Sequence, residues 1–391
     1  MATHVPRATT ALATPMPRSA TPTSLATSTV NPCPEPSHIE PPARDLSLDA
    51  YIVALREFLR QGGDPALVSL QEQEELHLGD LTGDGVEEAV FLLIDPDAQQ
   101  FPPKGHLAIY TCESGEVTLL YHYKPGDWYG LELIGIADLT EDGVAELSFS
   151  EISCGANTCW HTPRVWSWQG RDFEARMEDE FLFPFPWYTL QNGALVVVSH
   201  GMGSVGAGPQ RTITTTLAWT GTAITITDEI FAPASYRYHA FLDGDRALAG
   251  GDFGTAEALY RRVAEDPSLE LWGAFASTEE EQTWLVALGR WRLMLLQAYL
   301  GNSTEAEATY ATLRDENAPG TTAYALVGLG ERFWRGYQRN DDLGNACSYV
   351  MGGVEVPAVL DFLATFGYAN PIYEAVHLCP FTASGVSELP F

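Results

Sequence analysis

Two short acidic loops carry the residues best suited to chemistry. The first reads Gly79-Asp80-Leu81-Thr82-Gly83-Asp84-Gly85-Val86-Glu87-Glu88 and runs into the apolar stretch Ala89 to Ile94. The second reads Ala137-Asp138-Leu139-Thr140-Glu141-Asp142-Gly143-Val144-Ala145-Glu146 and runs into Leu147-Ser148-Phe149-Ser150. Oxygens recur at every second residue: Asp80, Thr82, Asp84, the Val86 carbonyl and Glu88, then Asp138, Thr140, Asp142, the Val144 carbonyl and Glu146. A hard cation such as Ca²⁺ takes about 6–8 oxygens at about 2.3–2.6 Å, and a tightly turned loop supplies them from alternate positions. Gly85 and Gly143 fall where such a loop must turn sharply. The competing reading is an Asx-type turn, in which the side chains satisfy the loop's own amides. The carboxylates of one loop repel one another without a cation, and that favours calcium. An EF-hand is excluded, because its twelfth position needs Glu and here holds Phe91 or Phe149, followed by strand-like alternation.

On these residues the loops resemble those of FG-GAP or VCBS-type repeats of integrin-like β-propellers, which read D-x-[DNT]-x-D-G-x-x-[DE]. The resemblance implies calcium at the loops and binding rather than catalysis. Thr82 and Thr140 depart from the Asp or Asn that is the stronger ligand at the third position.

The β pattern around these loops repeats. The first unit has strands at 76–78 and 89–94 and a hairpin turning at Ser114-Gly115. The second has strands at 131–136 and 147–150 and a hairpin turning at Gln169-Gly170. The third has a strand at 194–199 and a hairpin turning at Thr220-Gly221, with Gln191-Asn192-Gly193 where the acidic loop would be. An X-Gly pair between alternating strands is a strong hairpin signal. Four short strands per unit make a propeller blade, but closed propellers have about 4–8 blades, so an incomplete arc is expected. The aromatic run Phe181 to Tyr188 lies between units; such a run can stack on sugars or anchor a partner, but seam filling between repeats is the favoured reading. The Gly-rich piece Gly201 to Pro209 lacks the Gly-Lys-Ser/Thr ending of a phosphate loop and is read as a loop of tight backbone approaches.

Helical periodicity flanks the β region. Leu48, Tyr51, Ile52, Leu55, Phe58 and Leu59 form one apolar stripe, capped by Ser47 and stopped at Gly62-Gly63, which must dock on the β region. From about residue 235 the pattern is helical again. One helix carries Tyr238, Phe241, Leu242 and Leu248; Asp243-Gly244-Asp245 inside it resembles a third acidic turn, whose ligand spacing Arg246 and Leu248 break, and the next helix runs from Phe253 to Asp266-Pro267. A second pair covers 284–300 and 305–314 after an inserted segment 268–282. Ala256 with Tyr260, and Ala306 with Tyr310, resemble the small and aromatic positions of tetratricopeptide helix pairs. Helices at 324–337, 343–351 and 356–366 cap the stack.

The expected class is therefore α+β multidomain: repeated four-stranded antiparallel β units, partly propeller-like, followed by an all-α helical-hairpin domain. Residues 1–45 are Thr/Pro-rich and read as a disordered tether, 46–232 as the first helix with the β units, and 235–391 as the helical domain.

The chain has 391 residues with 21 Lys and Arg against 52 Asp and Glu, a net charge of −31. That surface repels nucleic acid and anionic membranes, and no apolar run is long enough to span a bilayer. Six cysteines suit an oxidising compartment. Cys154 and Cys159 are expected as a disulfide. Zinc ligation with His161 is the weaker alternative, because a fourth ligand is missing. Cys347 and Cys379 are placed to staple the last helices.

The expected function is a cell-surface or secreted calcium-braced binding or scaffold protein. A signal or lipoprotein segment is expected upstream, and a monomer that takes a protein or peptide partner on its helical domain. The alternative is a glycan-directed extracellular hydrolase or its accessory module. For that chemistry the sequence offers only Glu151, His161 and Glu178, near one another in the chain, with no HExxH and no G-x-S-x-G. A third reading is a passive stalk-borne module with calcium as its sole ligand.

Overall fold

The structure is a computed structural model that describes residues 34, 37–69, 75–95, 101–273, 277–340, 342–382 and 385–391. The tether assigned to 1–45 lies mostly outside the described residues.

Helix α1 (Leu48–Arg60) and the short α2 (Ala66–Ser69) precede the first sheet. That sheet is a meander of β1 (Glu75–Gly79), β2 (Glu88–Ile94), β3 (Gly105–Glu113) and β4 (Glu116–Tyr123). The second meander is β5 (Gly130–Ala137), β6 (Glu146–Cys154), β7 (Cys159–Trp168) and β8 (Phe173–Ala175), with β9 (Phe183–Pro184) added beside β7. The third is β10 (Pro186–Gln191), β11 (Ala194–Ser199), β12 (Ile213–Trp219) and β13 (Ile224–Phe231). All ladders within these sheets are antiparallel.

The sheets stack face to face because their middle strands are apolar on both sides. In β2, Phe91 and Leu93 face α1 together with Leu55 and Phe58, whereas Val90, Leu92 and Ile94 face Leu131, Leu147 and Phe149 of the second sheet. The other side of that sheet, at Val165, meets Leu195, Val197 and Leu217 of the third. The expected docking of the apolar stripe of α1 is thus observed, and Tyr110 Oη donates to the Ile52 carbonyl at 2.8 Å to fix it. The opening strands of the three meanders lie side by side, β5 between β1 and β10. This is the blade-like arc expected from the repeats. Among the described residues it does not close on itself.

The hub of the arc depends on one position without a side chain. A Cβ on Gly135, in the bulge of β5, would lie 2.8 Å from Leu190 of β10 and 3.7 Å from His77 of β1. Gly135→Val is expected to destabilise the protein by about 1–3 kcal/mol through overpacking, read as a lowered midpoint in urea.

The aromatic run corrects the expected third unit. Its last residues, Pro186 to Tyr188, begin the opening strand β10 and are not a spacer between units. Tyr188 and Leu190 pack inward and Trp187, Thr189 and Gln191 outward, which is strand alternation hidden by the prolines. Pro186 is tolerated because it is the first residue of an edge strand. The tight turn at Asn192-Gly193 then takes the place of the acidic loop.

The helical domain consists of α3 (Arg237–Ala249), α4 (Phe253–Glu265), α5 (Thr278–Tyr299), α6 (Ser303–Glu316), α7 (Tyr324–Asn340), α8 (Leu343–Met351), α9 (Val356–Ala364) and α10 (Ala375–Leu378), closed by the hairpin β14 (Phe381–Thr382) and β15 (Gly385–Val386). Neighbours α3 and α4, α5 and α6, and α7 and α8 pack in pairs around one core. Helix α5 begins at Thr278, not 284, because Ser277 Oγ accepts the Glu280 amide at 3.1 Å and Glu279, Glu280 and Glu281 suit the positive end of the helix. Disulfides join Cys154 to Cys159 and Cys347 to Cys379, and Cys112 is also disulfide-bonded. These bridges fit an oxidising environment. Among the described residues no single helix is long and apolar enough to cross a membrane, and the bent pair α8 and α9 buries its apolar face in the helical core.

Burial holds His77, His106, His122, His239 and His377 below the usual imidazole range, His106 at about 4. Unfolded imidazoles near 6.5 therefore take up protons first as the pH falls. Their contribution to stability is complete above about pH 6.5 and falls as the pH drops below it, that of His106 toward about pH 4. His106→Gln is expected to flatten this acid slope, measured as the melting temperature between about pH 7 and about pH 4.5.

Candidate functional site

The two acidic loops have the same internal wiring. Glu88, fully buried, accepts the amides of Leu81 and Thr82 on Oε2 at 2.8 and 3.1 Å, and the hydroxyls of Thr82 and Thr111 on Oε1. Burial pushes its carboxyl upward, and the Thr111 hydroxyl and these amides pull it back. Glu146 does the same for the amides of Leu139 and Thr140 and the hydroxyls of Thr140 and Ser167. Asp80 accepts the amides of Gly83 and Gly85, and Asp84 accepts that of Val86. Asp138 accepts the amides of Asp142 and Gly143, and Asp142 accepts that of Val144.

Thr82 with Glu88, and Thr140 with Glu146, therefore point at each other under the loop. The oxygens left toward solvent are those of Asp84 and Asp142, with the second lone pairs of Asp80 and Asp138. Asp84 and Asp142 lie exposed on the outer half of each loop, and the inner half is a strut in which Glu88 and Glu146 cap backbone amides. The Val86 and Val144 carbonyls belong to partly buried residues at the rim of each loop.

The other sequence candidates separate. Cys154 and Cys159 are joined to each other, which removes them as zinc ligands with His161. Glu151 is held by the Arg164 guanidinium at 2.8 Å and by the Tyr123 hydroxyl. His161 Nδ1 lies 3.1 Å from Glu132 Oε2 without hydrogen-bond alignment, and Glu178 is exposed in a loop. The described contacts join none of Glu151, His161 and Glu178 to another.

The structure assembles a different site at the seam between the third sheet and the helical domain. The Gly-rich piece forms this seam by close backbone approach, as its composition suggests. Tyr368 and Ala369 amides donate to the Gly206 and Ala207 carbonyls at 3.2 Å, and Asn370 Nδ2 reaches the Ala207, Pro209 and Phe366 carbonyls. Gly208 has φ +85°, and a Cβ there would overlap the Phe366 carbonyl oxygen. Beside this contact opens a cleft of about 790 Å³, with walls from Leu182, Ile213, Phe231, Leu242, Pro371 and Phe391.

Its polar centre is a cluster that sequence reading missed. Arg211, ahead of β12, and Arg246 of α3 share the single carboxylate of Asp243, and both guanidinium groups lie over the Phe231 ring. Arg246 also lies 5.0 Å from the Phe391 ring centroid. Burial and the neighbouring Arg211 push Arg246 down, against Asp243. Buried His239 presents an Nδ1 without a hydrogen-bond partner, and Glu229 stands elsewhere on the lining. Leu182 and Phe391, on the lining, are exposed, at 59% and 49%. The sequence signals for this site were the Gly-rich piece and the start of the aromatic run, which supply Gly201, Pro209 and Leu182 to Pro184 to the lining. Asp243 looked like part of an acidic turn, and its partner Arg211 is 32 residues away.

No family model matches this chain, and comparison with curated proteins finds no match.

Proposed function

We propose that the chain is a cell-surface or secreted, non-catalytic binding module whose recognition surface is the seam cleft. One observation carries this reading: an apolar cleft between the third sheet and the helices, with two guanidinium groups on one carboxylate and the exposed apolar side chains of Leu182 and Phe391 on its lining. Exposed apolar surfaces of this kind mark interaction sites. The partner is a protein segment that brings an apolar side chain for the cleft and a carboxylate for Arg246.

The test is affinity capture from the culture medium and envelope of the source organism, with Leu182→Asp and Arg246→Ala as controls. A protein retained by the wild type and lost with both variants supports the reading. Retention unchanged by both contradicts it, as does glycoside turnover that a single carboxylate substitution abolishes.

Calcium belongs to the same proposal as a brace on the outer half of each loop, held by Asp80 and Asp84 and by Asp138 and Asp142. Titration calorimetry should give a dissociation constant of about 10⁻⁴–10⁻³ M, lost in the Asp84→Ala/Asp142→Ala double variant. Absence of heat and of any thermal shift removes calcium and leaves the Glu88 and Glu146 struts to hold the loops alone.

A further inference from the structure

A second cluster lies where α1 crosses the first sheet, and it stands independently of the seam reading. Strand register sets His122 opposite Ala108, so His106, two residues earlier on β3, is its diagonal neighbour on the face that α1 covers. The two rings lie 5.0 Å apart, and His122 Nε2 is 3.1 Å from His106 Nδ1. Asp49, in the first turn of α1, hangs over them, and the ligand atoms of all three fall within 4.8 Å of one another. We propose that Asp49, His106 and His122 form a binding site for a divalent transition-metal ion of the zinc class, which clasps α1 to β3 and β4.

The donor set decides the chemistry. Two imidazole nitrogens and a carboxylate select zinc-like ions over calcium, which takes oxygen alone. Bonds of about 2.0–2.1 Å in a tetrahedral shell put ligand atoms about 3.4 Å apart. The imidazole nitrogens already stand near that separation, and Asp49, whose side chain is 69% exposed, is free to close on them. For both nitrogens to ligate, the N–H between the rings must move to the far nitrogen of its own ring, each ring staying neutral.

The competing arrangement is the one present without metal: a hydrogen bond between the rings and Asp49 paired to Lys124 Nζ at 2.7 Å. Lys124, half-exposed, must turn to solvent, and its charge lowers the affinity of the site. Three protein ligands leave a fourth position for water or for a group from a partner.

The intact chain, first stripped with chelator, is titrated with Zn²⁺ by calorimetry and thermal melting, and with Co²⁺ by visible absorption. The expected results are a rise in melting temperature with Zn²⁺ that excess Ca²⁺ does not reproduce, and Co²⁺ d–d bands of a nitrogen- and oxygen-ligated ion. His122→Ala and Asp49→Asn should each weaken Zn²⁺ binding at least as much as the roughly 10–100-fold that loss of an outer-shell partner costs. His106 sits in the core, so these two more exposed variants decide. Absence of a Zn²⁺ shift in the wild type, or undiminished binding in His122→Ala and Asp49→Asn, overturns the proposal.

Discussion

Replacing Arg292 with Met should cost the fold about 3–5 kcal/mol, the largest single loss expected in the helical domain. Arg292 of α5 and Asp245 of α3 form an ion pair almost without exposure to solvent. Arg292 Nε and Nη2 reach the two carboxylate oxygens at 2.9 and 2.8 Å. Tyr260 of α4 and Tyr373 donate their hydroxyls to the same carboxylate. The remaining guanidinium nitrogen, Nη1, and the Trp291 indole both donate to the Leu378 carbonyl, one residue before the disulfide-bonded Cys379. The network thus ties three helices to the end of the chain. Methionine keeps most of the stem but leaves Asp245 charged, buried and short of donors, and that uncompensated charge is the source of the cost. The double variant Arg292→Met/Asp245→Leu should lose less than the two single losses combined, because it removes both charges together. Urea denaturation of the three variants reads this directly. Additive losses would mean that the pair is not coupled.

Glu146→Ala carries the second large effect, about 3 kcal/mol or more. It strips the acceptor from the amides of Leu139 and Thr140 and from two hydroxyls at once, and each buried donor left unpaired costs about 1–3 kcal/mol. Arg176 Nε donates to the Ser167 hydroxyl at 2.9 Å, so the loss spreads to that neighbour. Glu88→Ala should behave alike in the first loop. Asp142→Ala, which removes one exposed amide contact, should cost about 1 kcal/mol or less, as for the loss of a turn or cap acceptor. The contrast between positions nine and five of the loop should persist in chelator, since it comes from backbone satisfaction and not from metal. Equal losses at both positions that vanish in chelator would instead place the cation at Glu146 itself.

These residues show where sequence reading reached and where it stopped. The period of the strands, the X-Gly turns and the apolar stripe of α1 are local signals, and the meanders and the docked helix follow from them. The alternate spacing of loop oxygens was equally plain, but it does not say which way each side chain turns. That is decided by Thr111 and Ser167 on neighbouring strands, which offer hydroxyls beneath Glu88 and Glu146. Asp245 had the look of a failed acidic turn because its partners Arg292 and Tyr373 lie 47 and 128 residues away. The seam cluster was hidden for the same reason, since Arg211, Asp243 and Arg246 come from two domains. The prolines of the run 181–188 masked a strand whose inward residues, Tyr188 and Leu190, complete the hub.

The seam is the central claim, and site-specific photocrosslinking tests it most directly. A photoreactive residue is placed at Leu182, on the cleft, and in a second protein at Trp128, which is also highly exposed but does not line the cleft. Each is irradiated in medium and envelope extract of the source organism. The account predicts a discrete adduct from position 182 that Arg246→Ala abolishes, and none from position 128. Equal adducts from both positions, or an adduct at 182 that Arg246→Ala leaves unchanged, would contradict it.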